Sequence, residues 1–293
     1  MSSSQVLLNL ILFMVIFTIA LDLKTADFIR VVKNPLPISA GLIAQFLLLP
    51  VGTFIATLIL DLPANIEAGM MLVASCPCGG ISNFVTDYSR GNTALAVSIS
   101  AVANLVALVM TPLNFTWMVS SNPNTADWLK DIQVDPSLIW INLVIILAIP
   151  LAVGMLTRYW MPGISKRIRR PLGRFSMIAL ILFIVAALYK DRHLLVGVSG
   201  LLVLVVLHNA SGLLMGYFAG AIARLPVADR KALVFETGMQ NAALAVAIIG
   251  SQFNADAGML VVAGLWAIWH NTSGLALAQV LRMRTTKVLG ASE

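Results

Sequence analysis

Between the apolar runs ALVF and AALAVAIIG, the six residues Glu236-Thr237-Gly238-Met239-Gln240-Asn241 gather a carboxylate, two carboxamides and a glycine. A lone carboxylate at the centre of a bilayer costs about 2.5–3.5 kcal/mol or more on insertion scales, so Glu236 requires a cation or a proton. The nearest basic residues, Arg230 and Lys231, lack the three- or four-residue spacing to Glu236 that shares one helix face. Carbonyls freed by a break at Gly238, with the amide oxygens of Gln240 and Asn241, are hard oxygen donors. Such donors suit alkali or alkaline-earth ions better than zinc or copper. The competing reading of Glu236 is a satisfied structural ion pair.

A second polar interruption, Cys76-Pro77-Cys78-Gly79-Gly80-Ile81-Ser82-Asn83, lies in another apolar stretch. Proline and glycine break the helical hydrogen-bond ladder there. Asn83 and Asn241 stand at the same place in their breaks. Each is suited to cap the half-helix that follows, and each offers an amide to an anion. Cys76 and Cys78 would favour a soft ion or a metalloid as thiolates, yet with no third cysteine or histidine nearby they read as small packing residues. The echo of Leu207-His208-Asn209-Ala210-Ser211-Gly212 in Trp269-His270-Asn271-Thr272-Ser273-Gly274 reads as interhelical hydrogen bonding and small-residue packing, with His270 the better candidate for lining a cavity. Gln45, upstream of Pro50, serves equally as interhelical glue or as an ion ligand. No nucleophile and base pair has a recognisable spacing, so the chain does not read as an enzyme.

The elements that position these residues follow from composition. The chain of 293 residues is 59% hydrophobic and 11% charged, against about 25% charged in ordinary globular domains. An all-α polytopic membrane protein is the class this implies. Apolar length divides it into nine expected spans, roughly 6–23, 37–60, 66–88, 92–119, 136–160, 172–189, 194–223, 227–252 and 257–281, near the ~20 residues a crossing helix needs. The first span has no basic region before it and is read as a retained helix. Of the nineteen lysines and arginines, only Lys130, Lys190 and Arg192 fall in even-numbered loops. By the positive-inside rule the N-terminus lies outside and the C-terminus in the cytoplasm. The basic run Lys166, Arg167, Arg169, Arg170 and Arg174 thus faces lipid headgroups, and the isoelectric point of 9.6 reflects topology, not nucleic-acid binding. Of the thirteen acidic residues, Glu236 alone is expected well inside a span.

The third and eighth spans carry the two breaks. Irregular backbone at membrane depth is tolerated where it is buried in protein or lines a cavity. Interrupted segments at corresponding positions of two halves point to a transporter's binding site. The breaks are five spans apart, an odd number, so the repeats that hold them would be inverted, with nine spans dividing as four plus five.

Residues Gly79–Asn83 (GGISN), Tyr88–Ser100 (YSRGNTALAVSIS), Leu225–Ala245 (LPVADRKALVFETGMQNAALA) and Trp269–Gly274 (WHNTSG) resemble the bile acid:sodium symporter family, and the similarity runs from IALDLKTADF near the first span over nearly the whole chain. The resemblance implies a core domain with two crossed, unwound helices, about residues 37–119 and 194–281, and a panel domain, about 6–23 and 136–189. It also implies a sodium-coupled symporter that imports an organic anion, such as a bile acid, pantoate or another carboxylate, by alternating access in the plasma membrane. No obligate protein partner is implied. One sodium would be held by Gln45, Glu236 and Gln240 with carbonyls near Thr237 and Met239. A second would use Ser82, Asn83, Ser100, Glu236 and a hydroxyl at position 96, where this chain has Ala96 and so lacks a ligand. Asn83, Asn241 and His270 would face the anion. A proton-coupled carboxylate transporter and a metalloid exporter of the wider superfamily are the alternatives.

Overall fold

The computed structural model describes residues 3–21, 33–132, 135–190 and 198–290, and all regular structure among them is helical. In chain order the helices are α1 (Ser3–Ala20), α2 (Pro35–Leu60), α3 (Ala64–Ser75), α4 (Ile81–Tyr88), α5 (Thr93–Ser121) and α6 (Pro123–Asp131). There follow α7 (Pro136–Trp160), α8 (Pro162–Lys190), α9 (Val198–Ile222), α10 (Val227–Gly238), α11 (Ala242–Gln252) and α12 (Ala257–Gly290).

Local chemistry sets many of these limits. Pro35, Pro123 and Pro136 open helices at the first positions, where the missing N–H costs nothing. The side chains of Asn92, Asn122, Asp135 and Asn241 each accept a backbone N–H of the turn that follows. Helix α2 is not uniform, because Ala44–Leu48 forms a π-turn just before Pro50. Pro50 has no N–H to return to the carbonyl of Phe46 four residues earlier. That carbonyl instead accepts from Asn114 Nδ2 of α5 at 2.8 Å.

Among the described residues, five helical stretches, Pro35–Leu60, Thr93–Ser121, Ser137–Trp160, Ser199–Ile222 and Ala257–Met283, are long and apolar enough to cross a membrane. The remaining expected spans correspond to α1, to α8 and to the pairs α3–α4 and α10–α11, whose separate halves are each shorter than a crossing. Two features differ from the sequence reading. Helix α8 begins at Pro162 and takes in the whole basic run, and the loop between the fourth and fifth expected spans folds as the short helix α6, opened by Asn122 and Pro123. Part of the seventh expected span, residues 194–197, lies outside the described residues.

Helices α1, α7 and α8 pack on one another, and α1 and α7 also lean on α11 and α5. The main core gathers Phe115, Trp266 and the Met70–Val73 run with the apolar face of α11. The most extensive pairing is α9 with α10. Gly212, Gly216 and Gly220, one per turn of α9, face Thr237, Leu233 and Arg230 of α10, and a Cβ at Gly216 would overlap the Leu233 carbonyl. A stripe of small residues lets two membrane helices approach to backbone contact, and here it presses α10 inward, with Glu236 on its last turn.

Candidate functional site

Helix α3 ends at Ser75, and Cys76 turns to extended backbone, φ −72° and ψ 152°. Helix α10 ends at Gly238, with Met239 at φ −118° and ψ 81°. The two unwound segments cross antiparallel, Cys78 opposite Gln240. Gly79 N donates to Met239 O at 2.9 Å and Asn241 N donates to Pro77 O at 2.8 Å. A Cβ at Gly79 would stand 3.4 Å from the Gln240 carbonyl oxygen, in ordinary van der Waals contact, so the crossing itself is held by these backbone bonds.

Each break frees carbonyls that lipid could not satisfy, and neighbouring side chains take most of them up. Thr111 Oγ1 of α5 donates to Ser75 O at 2.7 Å, and Gln45 Nε2 of α2 to Cys76 O at 2.8 Å. Ser82 Oγ donates to Gly79 O at 2.6 Å and Gln240 Nε2 to Thr237 O at 2.7 Å. Asn209 Nδ2 of α9 donates to Gly238 O at 2.7 Å while its Oδ1 accepts from Ser273 Oγ of α12 at 2.6 Å. The two echoed motifs therefore meet at the second break and brace it.

Glu236 is 1% exposed. Its Oε2 accepts from Ser100 Oγ at 2.6 Å, and the side chains of Cys78 and Ser82 flank the carboxylate. Ser100 Oγ also accepts from Asn83 Nδ2 at 3.1 Å, so Asn83, Ser100 and Glu236 form one chain of contacts across both breaks. Arg230 and Lys231 turn instead to backbone carbonyls of Leu225 and Ser89. Gln45, placed by the π-turn, donates to Gln240 Oε1 at 2.6 Å. Three buried oxygens in this assembly, Glu236 Oε1, Thr237 Oγ1 and Gln45 Oε1, have no hydrogen-bond partner among the described residues. Buried orphan oxygens on one carboxylate, one hydroxyl and one amide are the chemistry of a hard-cation site.

The two asparagines are not equivalent. Asn241 caps α11, its Oδ1 accepting from Leu244 N at 3.0 Å. Asn83 lies inside α4, whose N-cap is Gly80 with no side-chain bond, and its amide goes to Ser100. Ala96, one turn before Ser100, is fully buried among apolar neighbours and brings no oxygen. His270 turns Nδ1 to Trp266 O of its own helix at 2.6 Å, and His208 pairs with Thr53 at 2.7 Å. Cys76 packs in the main apolar core and Cys78 against Phe46, Ala103 and Ala107, and both are free thiols.

Glu236 is not the single buried carboxylate. Glu67, in the first turn of α3, is 1% exposed and accepts from Leu62 N, Asn122 Nδ2 and Asn124 Nδ2 at 3.0–3.2 Å. Its place near a helix end was legible, but its burial depends on α6 folding over it. Thr111 and Asn114 were also missed by sequence reasoning, whereas Asn209 lies in the echoed motif read as interhelical hydrogen bonding. Pro50 was the signal that could have found Asn114, because it announces one orphan carbonyl.

Beside the crossing, where α1 and α7 meet α5 and α11, lies a cavity of about 20 Å³ bordered by Pro77, Asn104 and Leu244. It has room for little more than one water.

Comparison with known proteins bears on this geometry. The family model described as "Sodium Bile acid symporter family" matches residues 9–198. An "Uncharacterized sodium-dependent transporter YocS" of Bacillus subtilis is 29% identical over 288 residues, 98% of this chain and 86% of that protein. A "Probable sodium/metabolite cotransporter BASS1, chloroplastic" of Arabidopsis thaliana is 29% identical over 268 residues, 90% of this chain and 64% of that protein. The "P3 protein" of Mus musculus is 29% identical over 224 residues, 75% of this chain and 46% of that protein. The chain thus spans under two thirds of the plant and mouse relatives.

Proposed function

The chain belongs to the sodium bile acid symporter family, and from that premise we propose that it is a sodium-coupled symporter importing an organic anion by alternating access. The observation that carries the reading is the set of three partnerless buried oxygens, Glu236 Oε1, Thr237 Oγ1 and Gln45 Oε1, where the two unwound segments cross. Sodium enters as a transported substrate. Glu236, Gln45 and Gln240 with the Thr237 and Met239 carbonyls hold it, and the Thr237 hydroxyl joins them. The charge of the ion offsets the cost of burying Glu236, and its bonds stiffen the second break.

This reading takes one sodium per cycle, because Ala96 removes one ligand from the other expected set. In that set Ser82 Oγ donates to Gly79 O, Asn83 Nδ2 to Ser100 Oγ and Ser100 Oγ to Glu236 Oε2, and Ala96 adds no oxygen. With a monoanion, transport is then electroneutral, whereas a second ion would couple it to a membrane potential worth ~2.3 kcal/mol per charge per 100 mV. Asn83 and Asn241 present amide groups at the starts of α4 and α11, where helix dipoles favour negative charge. His270 turns Nδ1 to its own helix, so Nε2 is the atom through which it would meet the anion.

In this reading the nine spans form inverted units of four and five, with the N-terminus outside the plasma membrane. Helices α1, α7 and α8 are the panel, and the remainder is the core that moves against it. Packing of those three helices on one another supports the division. Sodium and anion raise each other's affinity by one factor, because linkage is reciprocal.

The testing experiment is a melting-temperature titration of purified protein with sodium against potassium at constant ionic strength, in wild type and Glu236→Gln. A sodium-specific rise that Glu236→Gln removes is expected. Its absence in folded wild type sinks the sodium reading. A proton-coupled carrier is the second reading, since a partnerless Oε1 beside a satisfied Oε2 also suits a protonated acid. Uptake that follows pH in the absence of sodium would favour it.

A further inference from the structure

The cavity beside the crossed breaks has one polar side chain in its lining. Ile16 and Ile19 of α1 and Leu147 and Leu151 of α7 form the wall on one side. Across from them stand Pro77, Leu244 and the α5 residues Ala107 and Leu108, and Asn104 of α5 is the exception among these apolar groups. Its amide is held, Nδ2 donating to the Ser100 carbonyl one turn earlier at 2.7 Å. That bond ties the nitrogen back to its own helix. The rest of the carboxamide, half-buried, is left for whatever fills the cavity. The hydroxyl of the same Ser100 touches both Glu236 and Asn83.

Resting on the symport reading above, we propose that Asn104 determines specificity, selecting anions that carry a hydroxyl or amide N–H on an otherwise apolar chain. Four residues of helix rise separate Asn104 from Ser100, about 6 Å. A substrate whose carboxylate sits at Asn83 and Asn241 then lays its carbon chain on Ile16, Ile19, Leu147 and Leu151 and offers a polar group of that chain to Asn104. An amide in an apolar wall discriminates against substrates that leave it unpaired, because its desolvation is then uncompensated. The cavity of about 20 Å³ is too small for such a molecule, so α1 and α7 must draw back from α5 and α11 to admit it.

The test compares two probes, pentanoate and 5-hydroxypentanoate, by competition against each other and by melting-temperature titration in saturating sodium. Wild type is expected to prefer the hydroxy acid at least tenfold. Asn104→Leu is expected to bring the preference to about one, and Asn104→Gln to retain part of it. The sodium-induced rise in melting temperature in each variant is the control for folding. No preference in wild type, or a preference that survives Asn104→Leu, overturns the proposal. If sodium stabilises wild type but neither acid binds, this inference falls and the symport reading stands. If sodium itself has no effect, the symport reading falls first.

Discussion

The two breaks perform the same geometric operation by different chemistry. The first is forced by backbone-restricted residues, Pro77, Gly79 and Gly80, and would interrupt a helix in any solvent. Its half-helix α4 has no side-chain cap and leaves Ile81 and Phe84 44% and 61% exposed. The second has one glycine, Gly238, and depends on side chains: Asn241 caps α11, Gln240 holds Thr237 O, and Asn209 holds Gly238 O. Helix α11 is buried from Leu244 to Ser251. A break built from proline stays open whatever is bound, whereas a break held by side chains around an unpaired carboxylate can respond to an ion. In the proposed symport cycle the first break is a fixed rail and the second is the sensor.

The contrast is broken most directly at Glu236. Glu236→Ala should abolish sodium-dependent uptake in vesicles, a loss of about a hundredfold or more given the cost of an unmatched site. Uptake within tenfold of wild type would remove the second break from its role as sensor. Next in size is the support behind the break. Gly216→Val thrusts a branched side chain into the Leu233 carbonyl, and overpacking of this kind costs about 1–3 kcal/mol or more. Loss of the monodisperse peak in size-exclusion chromatography, or a fall of several degrees in melting temperature, is the expected outcome.

A smaller effect separates rail from scaffold. Asn114→Ala leaves the Phe46 carbonyl buried without its donor and should cost about 1–3 kcal/mol. In a Pro50→Ala background the backbone N–H is restored, so the same change should cost measurably less, a non-additivity that a double-mutant cycle reads. The two asparagines then sharpen the comparison itself. Asn241→Ala removes a cap worth about 1 kcal/mol and should lower both melting temperature and uptake, while Asn83→Ala removes no cap and should lower uptake with little thermal effect. Equal thermal losses would contradict the asymmetry. The subtlest change is Ala96→Ser, which adds a hydroxyl one turn from Ser100. A sodium titration steepening from a Hill coefficient of about 1 toward 2 would mean that the missing oxygen had kept the second ion out.

Much of the site was legible in the chain. Glu236 announced itself because a carboxylate in an apolar run is costly, and the break at Cys76–Gly80 because proline and glycine cannot continue a helix. The spans could be read from apolar length, and most helix starts from Pro, Asn and Asp. Less legible were the donors that satisfy the freed carbonyls. Thr111 and Asn114 stand in a helix where nothing local marks them, and each meets a carbonyl far away in sequence, while Asn209 was marked by its echo but its partner carbonyl was not. The stripe Gly212, Gly216 and Gly220 was present as spacing, but its partner helix was not.

What the sequence alone determined is which groups must be matched. Burial of one carboxylate, interruption of two helices and the loss of backbone hydrogen bonds follow from residue type in a medium that supplies no donors. What only the tertiary structure decided is who matches them. It set the crossing of Pro77–Gly79 over Met239–Asn241, the difference between Asn83 and Asn241, the burial of Glu67 under α6, and the three oxygens left without partners. The physical reason is that cost is a local property of a residue and its solvent, whereas satisfaction is a distance between residues up to 195 positions apart, as between Gln45 and Gln240.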